Sequence, residues 1–126
     1  MTYDNSMDIH KKTWEVYASS WSEVDPEKRK NLFAQSLDPE FLYTDPMTVT
    51  LHGFEALSGY MDQFQSLVPG GGFEITDYEF HHDKSIASWN LIDADKKVIS
   101  SGKSFARYSP DGKILEEVGF FPVPKL

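Results

Sequence analysis

The sequence predicts an α+β domain in which helices come first and an antiparallel sheet follows. Three observations carry this reading. Apolar residues recur at spacings of three and four through the first half, the period of a helix face. A Pro69-Gly70-Gly71-Gly72 block then ends that pattern, because proline lacks the helical donor and glycine disfavours continuation. Beyond it, runs rich in strand-forming residues alternate with short polar turns. Helices followed by a meander place the helices on one face of a curved sheet, whose concave side is the place for a pocket. The 126 residues fit one domain, 1–126, with its core over about 8–121.

Each element has its own justification. His10, Trp14, Tyr17, Trp21 and Val24 fall at spacings of four, three, four and three and form one helical stripe. Asp25-Pro26 supplies an N-cap and a first-turn proline for a second helix, which carries Leu32, Phe33 and Leu37 toward the core. Phe41–Thr44 reads as a short strand, followed by a loop. Gly53 opens a third helix on Phe54, Leu57, Met61, Phe64 and Val68. The strands are then Phe73–His82, Ser85–Ile92, Val98–Tyr108 and Ile114–Phe121. Ser109-Pro110-Asp111-Gly112 is a strong hairpin signal, since proline presets φ and glycine accepts a positive one.

Composition narrows the function classes. With 20 Asp plus Glu against 12 Lys plus Arg, the net charge of −8 repels phosphate backbones and anionic bilayers, so neither nucleic acid nor membrane is an expected partner. The absence of Cys excludes a disulfide framework, a thiolate nucleophile and a Cys-based zinc site, and fits a reducing cytoplasm. No apolar run approaches the ~20 residues that span a bilayer, and MTYDNSMDIHKK lacks the pattern of a signal peptide. Aromatics at 14% are generous for this size, and large apolar side chains suit a deep pocket or a subunit interface as well as a core.

The run HHDKSIASWNLIDADKKVISSGKSFARYSPDGKILEEVGFF has an HHD turn, a W-x-L strand, a glycine two residues before Ser104, a DGKI hairpin and a closing GFF. With the TDP after FLY and the glycine opening the third helix, it resembles the nuclear transport factor 2-like superfamily, in its SnoaL-like, polyketide-cyclase-like branch. The resemblance implies a cone-shaped α+β barrel with three N-terminal helices packed on a strongly curved antiparallel sheet. It also implies a blind apolar pocket and a homodimer through the outer sheet face. No cofactor is expected. It implies no single reaction, because the superfamily holds isomerases, cyclases, hydrolases, dehydratases and non-catalytic binders.

The candidate site starts at FLYTDP. Asp45-Pro46 is ordinary strand-ending turn chemistry. Strand alternation also puts Phe41, Tyr43 and Asp45 on one face, which would hold a carboxylate at the edge of an aromatic cavity. By resemblance, Asp45 sits where isomerase-like members place a proton-abstracting carboxylate, and Tyr17 where they place an oxyanion-binding tyrosine. Ser104 falls where they carry a neutral aspartic acid or a cyclase base. It supplies a neutral donor there, which departs from both mechanisms. Trp14, Trp21, Trp89, Phe105 and Phe120 read as core or pocket wall, with Trp89 the best placed for the pocket. His82 reads either as a pocket acid–base group, alternating from Tyr78 and Phe80, or as a turn histidine beside His81 and Asp83. His52 is a loop residue or a pocket contact, and His10 the exposed end of the helix stripe. No spacing argues for a metal. Glu117 lies opposite the face of Val118 and Phe120 and stays outside the site. Ile86 stands where the family often has arginine, which argues against a salt-bridged pocket.

The expected ligand is a small apolar or carbonyl-containing molecule. An enzyme with an Asp45 general base and a non-catalytic ligand-binding protein compete as readings, and a protein-interaction module is the third. The binder gains from Ser104 and from the absence of a second carboxylate among these candidates.

Overall fold

A computed structural model of the chain describes residues 6–123; the first five residues of the stretch read above for a signal peptide lie outside them. Three helices pack against one six-stranded sheet. They are α1, Ser6–Ser19, continued by a 3-10 turn Ser20–Ser22; α2, Pro26–Ser36; and α3, Gly53–Leu67. The strands are β1, Leu37–Asp45; β2, Thr48–His52; β3, Gly72–His81; β4, Lys84–Ile92; β5, Val98–Tyr108; and β6, Ile114–Phe120. Their spatial order is β2-β1-β6-β5-β4-β3. Pairing is antiparallel throughout, except that β1 runs parallel to β6, so the sheet is mixed. Register shifts interrupt all five ladders, and such irregularities bend a strand and increase its twist.

Helix α1 buries Trp14 and Tyr17 on the predicted stripe, and Trp21 follows in the 3-10 turn. The stripe stops there: Val24 is exposed. His10, expected to be exposed, is half-buried and stacks on Phe80 with ring centroids 4.3 Å apart. The second helix starts as read, with the Asp25 carboxylate accepting from the Glu27 N–H at 2.9 Å and Pro26 in the first turn. Leu37 is buried, but as the first residue of β1 rather than the last turn of α2. On β1 the expected alternation holds: Phe41, Tyr43 and Asp45 all face inward.

One strand escaped the sequence reading. Thr48–His52 is β2, which pairs back on β1 through Leu42–His52 and Tyr43–Leu51. This short hairpin makes β2 an edge strand. Its mixed burial hides the clean alternation that would have marked it.

The core unites all three helices and the sheet's inner face, through Trp14, Tyr17, Phe33, Phe41, Leu57, Met61, Ala87, Ala106 and Ile114. Phe41, Leu57, Met61 and Ile114 are fully enclosed. Each such side chain contributes about 1.5–3 kcal/mol of burial. Among the described residues, no helix is long and apolar enough to cross a membrane.

Candidate functional site

Between α1, α3 and the sheet lies a cavity of about 310 Å³. This is at the small end of the range for ligand pockets. Trp14, Tyr17 and Trp21 wall it from α1 and its 3-10 extension, and Tyr60 and Phe64 from α3. Phe73, Trp89 and Phe121 wall it from the sheet side, and the exposed Met47 and Leu67 lie at its margin. Among its described lining residues, Asp45 and Glu117 are the only ionisable groups other than tyrosines.

Asp45 is almost fully enclosed, at 9% exposure. Tyr43 Oη donates to its Oδ2 at 2.5 Å and Tyr60 Oη donates to the same oxygen at 2.8 Å. The Met47 N–H donates to Oδ1 at 2.7 Å. That last contact is the turn chemistry read from Asp45-Pro46, and the inward orientation is the strand chemistry; both hold. A carboxylate has about four acceptor positions, so one on Oδ1 stays open. Burial, followed by the negative charges nearby, holds the Tyr43 and Tyr60 hydroxyls above the ordinary phenol range, so both remain donors.

Glu117 is the residue the sequence reading left out. Glu117 does lie opposite Val118 and Phe120, but the inner face of β6 is that of Glu117 and not that of the phenylalanine. Phe120 is 60% exposed on the outer face, with Phe105 beside it, while Glu117 is 2% exposed and lines the cavity. Phe121, one residue on, takes the pocket position assigned to Phe120. A charged residue inside a strand defeats any rule that sends charge outward, and the inward-facing Gly119 beside it has no side chain to mark that face.

Burial pushes the Glu117 carboxyl up to about 8, with the Asp45 charge adding to the rise; the Ser104 and Tyr17 hydroxyls offset part of it. Tyr17 Oη lies 3.5 Å from Glu117 Oε2, a loose contact, and receives the Trp21 indole N–H at 3.1 Å. Ser104 Oγ receives the Trp89 indole N–H at 3.0 Å. Each hydroxyl thus has a lone pair occupied by an indole and keeps its own proton to give. Desolvation, then the Glu117 charge, holds the Tyr17 hydroxyl well above its usual range. At neutral pH the arrangement offers a neutral carboxylic acid, neutral hydroxyl donors and one buried acceptor, Asp45.

The structure therefore brings together Asp45, Tyr17, Trp14, Trp21, Tyr43, Trp89 and Ser104 as expected. It does not bring in three others. His52 is exposed at the start of α3, because as the last residue of an edge strand it faces solvent. His82 is exposed with φ of 57° in the turn after β3, its Nδ1 3.0 Å from that of His81; the chain reverses there before reaching the cavity. Phe120 faces outward. Tyr60 was missed, because a tyrosine one residue before the Met61 stripe position reads as the helix flank. No group of His, Asp and Glu able to hold a metal occurs among the described residues.

No protein-family model and no curated protein matches the sequence. Solved structures do match. A candidate isomerase of the SnoaL-like family from Agrobacterium tumefaciens str. C58 superposes with a TM-score of 0.83 at 24% identity, covering 93% of this chain and 100% of that one. A candidate SnoaL-like polyketide cyclase from Jannaschia sp. CCS1 gives 0.75 at 10% identity, covering 96% and 90%. A de novo designed protein with a curved β-sheet gives 0.70 at 13%, covering 91% and 86%, so the architecture arises without a natural function behind it. Likeness at these identities establishes architecture rather than chemistry, and the architecture is the one shared by SnoaL-like proteins of the nuclear transport factor 2-like superfamily.

Proposed function

We propose that the chain is an acid–base enzyme acting on a small, mostly apolar carbonyl compound, of the isomerase, cyclase or dehydratase type. The observation that carries this is the pairing of two carboxyl groups in one aromatic cavity, with opposite hydrogen-bonding roles. Asp45 is surrounded by donors and acts as acceptor, while Glu117 is held protonated at neutral pH. A carboxyl held protonated beside one that only accepts hydrogen bonds makes an acid–base pair.

In this reading the open position on Asp45 Oδ1 takes a proton from the carbon next to the substrate carbonyl. The C–H electron pair moves onto the carbonyl oxygen as an enolate, which accepts hydrogen bonds from neutral Glu117 and from Tyr17. Donors placed where charge develops contribute a few kcal/mol each. Returning the proton to another carbon isomerises the substrate; giving it instead to a departing β-hydroxyl, which leaves as water as the enolate re-forms the carbonyl, dehydrates it. The test is deuterium incorporation from D₂O into a panel of small neutral ketones and enones, followed by proton NMR. Asp45→Asn should lose at least about a hundredfold of the exchange rate, the scale of a general base.

A non-catalytic binder is the second reading. It is favoured by the filling of three of the four acceptor positions on Asp45. Absence of exchange across the panel, with a ligand recovered unchanged from the purified protein, would select it. In either reading we place the protein in the cytoplasm, on the cysteine-free composition.

A further inference from the structure

Gly102 in β5 and Gly119 in β6 both lie inside strands, where glycine weakens the element and marks a close approach by something else. At Gly102 that something is the protein itself. A Cβ there would come within 2.5 Å of the Phe120 carbonyl oxygen and 2.6 Å of the Trp89 ring. Gly119 differs. Its backbone is not left-handed, so the conformation does not require glycine, and the nearest atoms to a Cβ would be Asp45 Cβ at 3.3 Å, Glu117 Oε1 at 3.8 Å and Ser104 Oγ at 3.9 Å. A Cβ would press on Asp45 Cβ, which would have to give by a few tenths of an ångström, so packing disfavours a side chain there without forbidding one. The bare Cα faces the cavity, and three polar residues of the site converge on the space above it.

We propose that Gly119 is a specificity-determining residue: the reacting centre of the substrate seats on its bare Cα between Asp45 and Glu117, and the seated end is an uncharged carbonyl or hydroxyl group. This rests on the acid–base reading of the same site. The charge requirement follows from the walls. The described lining residues include no Lys, Arg or His, so an anionic group would meet Asp45 in an apolar enclosure with no cation to offset it. An ammonium would bring three N–H donors to a carboxylate with one acceptor position open, so the others would lose water against apolar walls without a partner.

Binding of 1-naphthol, 1-naphthoate and 1-naphthylmethylammonium tests this without any turnover. The chain's three tryptophans all line the cavity, so their indole N–H resonances report occupancy. The expected result is that 1-naphthol binds, that both charged analogues bind at least tenfold more weakly, and that bound naphthol shows nuclear Overhauser contacts to the Gly119 α-protons. Gly119→Ala, whose methyl requires a shift of only a few tenths of an ångström, should weaken naphthol at least tenfold. Gly59→Ala, facing open space on α3, should leave binding unchanged. Naphthol binding by a folded Gly119→Ala variant within twofold of the wild type overturns the proposal. So do a charged analogue binding equally well, contacts that avoid Gly119, or no naphthol binding at all. Should Gly119→Ala fail to fold, the wild-type contacts and the charge series decide alone. Lost exchange with this binding pattern intact would reject the acid–base reading; exchange that persists while binding ignores Gly119 would reject the seat.

Discussion

At the scale of single residues, Glu117 has the largest consequence for pH. Its carboxyl stands at about 8 in the folded chain against an ordinary 4.5. Between those values the native state holds a proton that the unfolded state releases, so stability falls as pH rises from about 5 to 8 and the loss is complete above the folded value. The shift corresponds to something on the order of 4–5 kcal/mol. Glu117→Gln keeps the size and hydrogen-bonding capacity but cannot ionise. Urea unfolding from pH 5 to 9 should therefore show a slope in the wild type that the variant lacks, with near-equal stability at pH 5. A slope of the same size in Glu117→Gln would assign the pH dependence to another group. Half of this site was legible beforehand, since Tyr17, Tyr43 and Asp45 follow from helix and strand periods. Glu117 was not, because its burial depends on which face of β6 the helices cover. That is settled by the parallel β1–β6 pairing, a contact between residues more than seventy positions apart.

At the scale of elements, one side chain links α2, the loop before it and α3. Arg29 is fully buried; its guanidinium donates to the Glu23 carbonyl, to the Ser58 carbonyl and hydroxyl, and to Asp62 Oδ1 at 2.9 Å. The Asp62 side chain is 59% exposed, so the ion pair itself is worth little beside the buried donors. Replacing Arg29 by Ala leaves those acceptors unpaired and a void behind. A loss of about 3–5 kcal/mol in urea unfolding is expected, against less than about 1 kcal/mol for Asp62→Ala. Equal losses would show that the ion pair, not the backbone carbonyls, is what Arg29 contributes. Nothing in the local sequence announces this: Lys28-Arg29-Lys30 reads as a solvated basic cluster, and only the tertiary approach of α3 singles out the middle residue. The helices and the last four strands were legible for the opposite reason, since their periods and turns are local. Edge strand β2 and the switch from helix to strand at Leu37 depend on partners elsewhere in the chain.

For the whole molecule, the curved sheet has two faces with different occupants. The inner face carries the core and the cavity. The outer face exposes Ile86 and Phe120, which with Phe105 and Pro122 border an apolar groove across β4, β5 and β6. Large exposed side chains gathered on one sheet face mark an interaction surface more than scattered ones do. We propose that this face joins two copies of the chain, as the resemblance of the sequence implies. Phe120→Asp places a charge in the middle of that groove while leaving the inner face untouched. Light scattering coupled to size exclusion should then give the mass of a dimer, twice 14.4 kDa, for the wild type and that of a monomer for the variant. A wild-type monomer at micromolar concentration would reject the dimer; a dimer that survives Phe120→Asp would move the interface to another surface. The same variant also separates assembly from binding. Phe121 lines both the cavity and the groove and packs against Trp89 with ring centroids 6.1 Å apart. If the partner holds Phe121 in place, the monomer should bind cavity ligands several-fold more weakly with its thermal midpoint unchanged. Unchanged affinity in a proven monomer would show that each cavity is complete within one chain.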